Sequence, residues 1–198
     1  VSATDAKQPF DITYMIANAA IDDASGWSDT PTLNYSCMEY YEKIFDFNQT
    51  TADKLPKGVY QLRVQAFQRS GAAASTYEAY VNNTGLVTTE IYLGTAKTQV
   101  QHIASEAQKS KLGGAESAVG SPTYYIPNDM QAASKYFKKG LYENVVTMQN
   151  RRVQALTLGI RSESRGSLFW TVFDNFRLYY YGTMSLKTVT DIDEPTIQ

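Results

Sequence analysis

The clearest alternation of apolar and polar residues lies in the stretch VYQLRVQAFQR, residues 59–69. Successive side chains of a β-strand point to opposite faces, so this pattern predicts a strand with two different faces. The faces comprise Tyr60, Leu62, Val64 and Ala66 on one side, and Gln61, Arg63, Gln65 and Phe67 on the other. A mostly polar second face is typical of an antiparallel sheet with one side in water, and we expect that arrangement here.

Other apolar runs, separated by turn signals such as the Pro56-Lys57-Gly58 stretch, predict further strands. The predicted strands cover residues 10–16, 35–50, 76–81, 89–93, 98–103, 142–148, 153–161 and 168–181. Eight to ten strands with little helix indicate a jelly-roll β-sandwich.

A long polar segment, residues 104–121, interrupts this series and predicts a long loop that can include one short helix. We expect a short helix after it, with Asn128 as the N-cap and Gly140 at its end. Helical spacing places four residues on its inner face, namely Ala132, Ala133, Tyr136 and Phe137. The predicted fold is therefore an all-β jelly-roll sandwich with one or two short helices in a long insertion.

Changes in amino-acid composition along the chain divide it into one module and two flanking segments. We predict a linker over residues 1–9, the sandwich over residues 10–182, and a second linker over residues 183–198 that leads to a following domain. The opening VSATDAKQP lacks the features of a signal peptide and is interpreted as the middle of a longer chain.

Composition excludes several classes of protein. The net charge is −2 with no block of like charges, which argues against a nucleic-acid partner. No apolar run approaches the length needed to span a membrane. Cys37 is the only cysteine, so it forms no internal disulfide and is expected to be a small buried apolar residue.

Catalytic signatures are missing from the sequence. His102 is the only histidine, there is no G-x-S-x-G motif, and a zinc site would have to be built from carboxylates alone. Glycoside hydrolysis needs two carboxylates that face one cleft, and spacing does not pair any two of Glu39, Glu42, Asp46 and Glu78. We therefore expect a module that is not an enzyme.

Several polar and aromatic residues in loops could hold a ligand. Trp27 lies in a polar loop, where it either stacks on a sugar ring or plugs the end of the sandwich. The other candidates lie near a strand end or where the insertion ends, and comprise Arg69, Tyr77, Tyr124, Tyr125, Asn128 and Asp129. The alternatives are that Arg69 pairs with Glu78, that Tyr77 belongs to the core, and that the insertion is a lid over a sheet face.

Three stretches resemble galactose-binding-domain-like jelly rolls. They are DITYMIAN (11–18) followed by Gly26-Trp27, FDFNQT with LPKGVYQLRVQAFQR (45–69), and WTVFDNFRLYY (170–180). One departure is that Ala19 and Ala20 stand where the family usually has Pro and Phe. Together with residues 125–144, the chain is similar over residues 11–182 to modules of large exported or surface proteins of gut bacteria.

The resemblance implies a carbohydrate-binding module within an exported multidomain bacterial protein, at the cell surface, secreted, or in the periplasm. Its partners would be a glycan or glycosylated protein and the neighbouring domains of the chain. Many relatives carry a structural calcium ion, for which Asp22, Asp23 and Asp174 are the candidate ligands; alternatively these carboxylates only hold turns and a strand end. A second function stays open, a structural or protein-interaction module without a sugar ligand.

Overall fold

The computed structural model describes residues 8–190, which form thirteen strands and three α-helices. The strands are β1 (Phe10–Asp11), β2 (Thr32–Asn34), β3 (Cys37–Tyr41), β4 (Phe45–Thr50), β5 (Gly58–Ser70), β6 (Thr89–Leu93), β7 (Ala96–Gln99), β8 (Gln101–His102), β9 (Glu116–Val119), β10 (Tyr124–Pro127), β11 (Glu143–Asn150), β12 (Thr157–Ser162) and β13 (Phe169–Tyr180). The helices are α1 (Ala73–Val81), α2 (Met130–Lys138) and α3 (Leu186–Thr190), with 3-10 turns at Thr13–Met15 and Ile103–Glu106.

Two sheets pack into a sandwich. The larger sheet has the order β11-β5-β13-β3-β2, with β1 paired to β13 and the short parallel strand β8 paired to β5. The smaller sheet has the order β4-β12-β6-β7, and β9 with β10 forms a separate hairpin. The predicted all-β sandwich with few short helices is confirmed.

The main core lies between the two sheets. The apolar face of β5 is fully buried there, against residues of the smaller sheet such as Phe47 and Ile160. The ring of Phe47 lies 5.0 Å from that of Phe173 on β13. Removing this apolar surface from water is the main force that holds the sheets together.

The prediction that one face of β5 lies in water is wrong. Gln61, Arg63 and Gln65 are only 6%, 6% and 4% exposed. The end of α2 covers Gln65, whereas Gln61 and Arg63 contact Tyr181 and Tyr179, which pack with Val189 of the C-terminal helix α3. The Gln65 amide donates to the carbonyl oxygens of Phe137 and Leu141 at 2.7 and 3.0 Å, so a polar side chain satisfies carbonyls at the end of α2. The larger sheet is therefore buried on both sides along β5.

Helix α2 starts one residue later than expected. Asp129, not Asn128, is its N-cap and accepts a hydrogen bond from the Ala132 amide at 2.7 Å. Gly140, with φ of 82°, follows the last turn as predicted. The predicted inner face is buried. Three of its four residues, Ala133, Tyr136 and Phe137, form a second core with residues that include Phe67, Tyr142 and Trp170.

Several segments differ from their predicted strand form. Residues 76–81 lie in helix α1, because the run AAASTYEAY has good helix formers and can wind after Gly71. The predicted strand 98–103 is split at buried Val100, where the chain crosses from the smaller sheet to the larger one. Residues 104–121, expected to be a long loop with room for one short helix, contain most of the Ile103–Glu106 3-10 turn and also strand β9, which the sequence does not predict.

The chain after Gly182 continues to pack on the module. Helix α3 places Val189 in a small cluster with Val59, Tyr179 and Tyr181. Of the two predicted linkers, residues 1–7 and 191–198 lie outside the described residues, and the domain boundaries stay a prediction. Between residues 8 and 190, no helix combines the length and apolarity that a membrane crossing requires.

Candidate functional site

Three residues form a row across one end of the larger sheet. Trp170 on β13 pairs with Tyr41 on β3 and with Arg69 on β5, so the three lie side by side on adjacent strands. Helix α2 packs over the neighbouring part of the same face, above β3 and β13. The row itself borders an open cleft of about 640 Å³.

The other walls of the cleft come from a tight turn and from the start of α2. Tyr35 and Ser36 join β2 to β3 and have φ of 52° and 58°, which is the two-residue hairpin turn with both central residues in the left-handed region. The turn leaves the Tyr35 ring 49% exposed, and Tyr41 is 43% exposed. The full lining comprises Asn34, Tyr35, Glu39, Tyr41, Arg69, Asn128, Asp129, Met130, Gln131 and Trp170.

Arg69 is held firmly at the base of this cleft. Its guanidinium carbon lies 5.0 Å from the Trp170 ring centroid, and Nη1 donates to Asn128 Oδ1 at 2.9 Å. Its Nε is buried and has no hydrogen-bond partner among residues 8–190. Burial lowers the pKa of Arg69, but a guanidinium stays protonated at neutral pH. The cleft therefore carries a fixed, incompletely paired positive charge.

Trp170 is fixed from a second direction. It is 4% exposed, and its indole Nε1 donates to Glu39 Oε2 at 2.6 Å. Asp129 uses one carboxylate oxygen to cap α2. Both carboxylates in the cleft therefore have structural hydrogen bonds, and together with Arg69 they place one positive and two negative charges in its lining.

His102 takes a structural role instead of a place in the cleft. Its Nδ1 accepts a hydrogen bond from the Ala104 amide at 3.0 Å, which caps the Ile103–Glu106 turn, and its ring lies 4.9 Å from that of Tyr80. Burial lowers the pKa of His102, which favours its neutral imidazole form. These contacts give it no nucleophile to activate.

The structure brings together three of the ligand-binding candidates from the sequence, Arg69, Asn128 and Asp129. It places Trp27 elsewhere. Trp27 is 9% exposed, stacks on Phe47 with ring centroids 4.3 Å apart, and donates through Nε1 to the Asn18 carbonyl at 3.2 Å. It thus closes one end of the main core, which is the position that the plug interpretation expects.

The three other tyrosine candidates lie on the insertion side, outside the cleft lining. Tyr77 on α1 and Tyr124 on β10 stack with ring centroids 6.3 Å apart and pack against the second core. Tyr125 pairs through its backbone with Gln108, and the Lys111 ammonium lies 5.6 Å from its ring centroid. All three rings are partly buried, so they mainly hold the insertion in place.

The three calcium candidates lie in different surroundings. Asp22 is exposed, while Asp23 accepts hydrogen bonds from the Ser25 amide and hydroxyl, which lower its pKa. Asp174 lies on the covered face of β13, where burial raises its pKa to about 7. Over residues 8–190, no group of three or more His, Cys, Asp or Glu side chains is placed to hold a metal ion. The charge of Asp22 contributes to the raised pKa of Asp174, and calcium binding at these residues stays a prediction from the resemblance.

Sequence reasoning missed the aromatic part of the cleft. Tyr35, Tyr41 and Gln131 are not among the residues selected from the sequence, and neither is Trp170, which belongs to the second core and also lines the cleft. The signal for Tyr35 was present, because Asn34-Tyr35-Ser36 can form a two-residue turn between strands. The row of Tyr41, Trp170 and Arg69 depends on strand pairing between distant segments, which spacing along the chain does not give.

Comparisons with known proteins give a similarity at the level of solved structures only. No protein-family model matches the chain, and no curated protein matches it. Among solved structures, the chain is similar to TmCBM61, solved in complex with beta-1,4-galactotriose, with 15% identity and a TM-score of 0.31 over 73% of this chain and 70% of that chain. This level of similarity carries no argument about ligands, so the site is interpreted from its own residues.

Proposed function

We propose that this protein is a non-catalytic carbohydrate-binding module and that the cleft beside Arg69 holds the saccharide. The observation that carries the proposal is the fixed Arg69 guanidinium, stacked on Trp170 and bonded to Asn128, in an open cleft with two exposed tyrosine rings. A charged donor held in place loses little side-chain freedom when it binds a ligand.

The lining matches the two kinds of surface on a sugar. Hydroxyl groups both donate and accept hydrogen bonds, and the cleft offers the Arg69 guanidinium and the Gln131 amide as donors with Glu39 as an acceptor. The C–H faces of a pyranose ring are apolar, and the exposed rings of Tyr35 and Tyr41 offer flat apolar surface for them. A cleft of this volume lies within the usual range for small-ligand sites.

The charges of the cleft favour a neutral saccharide. Arg69 contributes one positive charge, whereas Glu39 and Asp129 contribute two negative charges. An acidic sugar would meet net repulsion, and such unfavourable placement of like charges selects against wrong partners. We therefore expect neutral oligosaccharides to bind here more tightly than uronate-containing ones.

The absence of catalysis forms part of the proposal. One oxygen of Glu39 accepts from the Trp170 indole and one oxygen of Asp129 caps α2, so we assign structural and ligand-orienting roles to these carboxylates instead of the acid and base roles of a hydrolase. We further propose, from the family resemblance, that the module works within an exported multidomain protein and directs it to a glycan or a glycosylated partner.

A glycan array followed by calorimetric titration tests the proposal. Tyr41→Ala removes an exposed ring of the cleft, while Tyr14→Ala removes an exposed ring in the Thr13–Met15 turn and serves as the matched control. We expect Tyr41→Ala to weaken binding of the best array ligand at least tenfold, whereas Tyr14→Ala leaves it unchanged and both variants keep the wild-type melting temperature. A folded protein that binds no glycan on a broad array contradicts the proposal.

A further inference from the structure

A second concave region lies away from the Arg69 cleft, at the end of β11. It consists of two adjoining cavities of about 650 and 320 Å³ that share Gln149 and Arg151 as a common wall. Arg152 lines the larger cavity and Lys57 lines the smaller one. No carboxylate side chain of the described residues lines either cavity, so three cations face the same region without an acidic neighbour in its walls.

Arg152 is positioned by a chain of hydrogen bonds. Its Nε donates to Gln154 Oε1 at 3.2 Å, and Gln154 Nε2 donates in turn to Asn150 Oδ1 at 2.7 Å. Asn150 is 1% exposed and donates through Nδ2 to the Pro56 carbonyl at 3.0 Å. The exposed Arg152 side chain is therefore linked through Gln154 to a buried amide.

The backbone of this region is also fixed. Gln154 and Leu55 form a reciprocal pair of main-chain hydrogen bonds at 2.8 and 3.2 Å, which ties the segment after β11 to the turn that contains Lys57. A guanidinium that is held in place presents its remaining donors to an oxyanion at a lower entropic cost than a flexible one. Charge-assisted bonds of this kind are the strong ones in ligand recognition.

We infer that these adjoining cavities form a second binding site, which takes the sulfate or carboxylate group of an acidic saccharide. Arg152 and Arg151 supply the paired donors for the oxyanion, and Lys57 lies at the far side of the smaller cavity for a second anionic group. The amide of Gln149 and the hydroxyls of Thr95 and Thr157 are suited to sugar hydroxyls, while Met148 and Leu156 provide apolar wall.

This inference does not depend on the proposed function of the Arg69 cleft. The two regions share no lining residue, and they differ in charge, because the Arg69 cleft carries two carboxylates. One molecule would then hold a neutral saccharide at one place and an acidic one at another. Tyr41→Ala should leave binding at the second site unchanged, so failure of one site can be distinguished from failure of the other.

Calorimetric titration of the full chain at low ionic strength tests the inference. The probes are a heparin-derived hexasaccharide, inorganic sulfate and a poly-L-glutamate of similar charge. We expect micromolar to millimolar binding of the hexasaccharide, at least tenfold weaker with either Arg151→Gln or Arg152→Gln. Arg165→Gln, an exposed arginine of another loop, removes the same charge and should change the affinity less than twofold.

Gln154→Ala separates a built site from general attraction between charges. It keeps the net charge and the main-chain bonds to Leu55 but releases Arg152, so we expect several-fold weaker hexasaccharide binding at an unchanged melting temperature. The inference is overturned if the hexasaccharide does not bind, or if all three arginine variants weaken it equally. It is likewise overturned if poly-L-glutamate or sulfate alone binds as tightly as the hexasaccharide.

Discussion

Arg69 and Trp170 lie directly opposite each other on β5 and β13, and the guanidinium carbon of Arg69 is 5.0 Å from the centroid of the Trp170 ring. Trp170 is itself bonded to Glu39, so the pair connects a positive charge to a negative one through an aromatic ring. This relationship places a rigid polar group in the cleft that the exposed side chains of Tyr35 and Tyr41 also line.

Arg69→Met should separate binding from stability. Methionine keeps an apolar contact with the Trp170 ring and removes the buried Nε that has no partner, so we expect the free energy of unfolding to change by less than about 1 kcal/mol. Saccharide affinity should fall at least tenfold, because the charged donor is gone. Denaturant unfolding and calorimetric titration measure the two effects. Retention of full affinity would show that Arg69 does not contact the ligand.

Asp129→Ala should destabilise the first turn of α2. Its side chain caps the helix by accepting from the Ala132 amide at 2.7 Å, and loss of such a cap costs about 1 kcal/mol. Asp129→Asn is the matched control, since asparagine is an equally good N-cap and should keep nearly wild-type stability. Urea unfolding of the three proteins measures the difference. Equal loss in both variants would indicate that charge, and not capping, is the source of the stabilisation.

Asp174 should make the stability fall as pH rises. Burial raises the pKa of Asp174 from its ordinary value of 3.8 to about 7, so the folded state holds the proton more tightly than the unfolded state. The free energy of unfolding therefore falls by on the order of 2–4 kcal/mol as the pH rises from about 4 to about 7.

Asp174→Asn should abolish this dependence. We expect the variant to melt at a higher temperature than the wild type at pH 8 and at the same temperature near pH 4, as followed by circular dichroism. Asp53→Asn alters an exposed carboxylate and serves as the control, with parallel melting curves for variant and wild type. A wild-type protein that gains stability from pH 4 to pH 8 relative to Asp174→Asn contradicts the assignment.

Cys37 should not react in the folded protein. It is fully buried, its Sγ lies 3.2 Å from the Asn34 carbonyl oxygen, and burial raises its pKa to about 12, so almost no thiolate is present at pH 8. A thiol-specific disulfide reagent should label it only at the rate at which the domain opens. Rapid labelling of the native protein would place the thiol near solvent.

The sequence predicts the core better than the surfaces that cover it. The alternation of Leu62 with Gln65 locates β5 and its inner face correctly, because period-two patterning reflects strand geometry directly. It does not reveal that α2 covers Gln65. A glutamine in a strand can either face water or donate to carbonyl oxygens of a covering helix, and the sequence pattern is the same in both cases. Similarly, Tyr77 lies in a helix although its neighbours also suit a strand.

The sequence predicts only part of the candidate site, because the contacts between its residues also depend on tertiary packing. Arg69 and Asn128 could be selected as residues at the ends of elements, where ligand-binding groups are common. Their contact with each other, 59 positions apart, follows from the docking of the insertion on the sheet. Trp170 lies in an apolar run of the sequence and is buried, yet it also lines the cleft.

The most direct test of the Arg69 cleft uses the two tryptophans of the chain as internal reporters. Trp170 borders the cleft, whereas Trp27 is packed in the main core, so a ¹⁵N-labelled sample gives one indole N–H signal for each environment. The two signals can be assigned with a Trp27→Phe variant. On titration with the neutral oligosaccharide selected by the array, we predict a saturable shift of the Trp170 indole signal and an unchanged Trp27 signal. A bound saccharide that shifts the Trp27 signal, or neither signal, would contradict the assignment of the site.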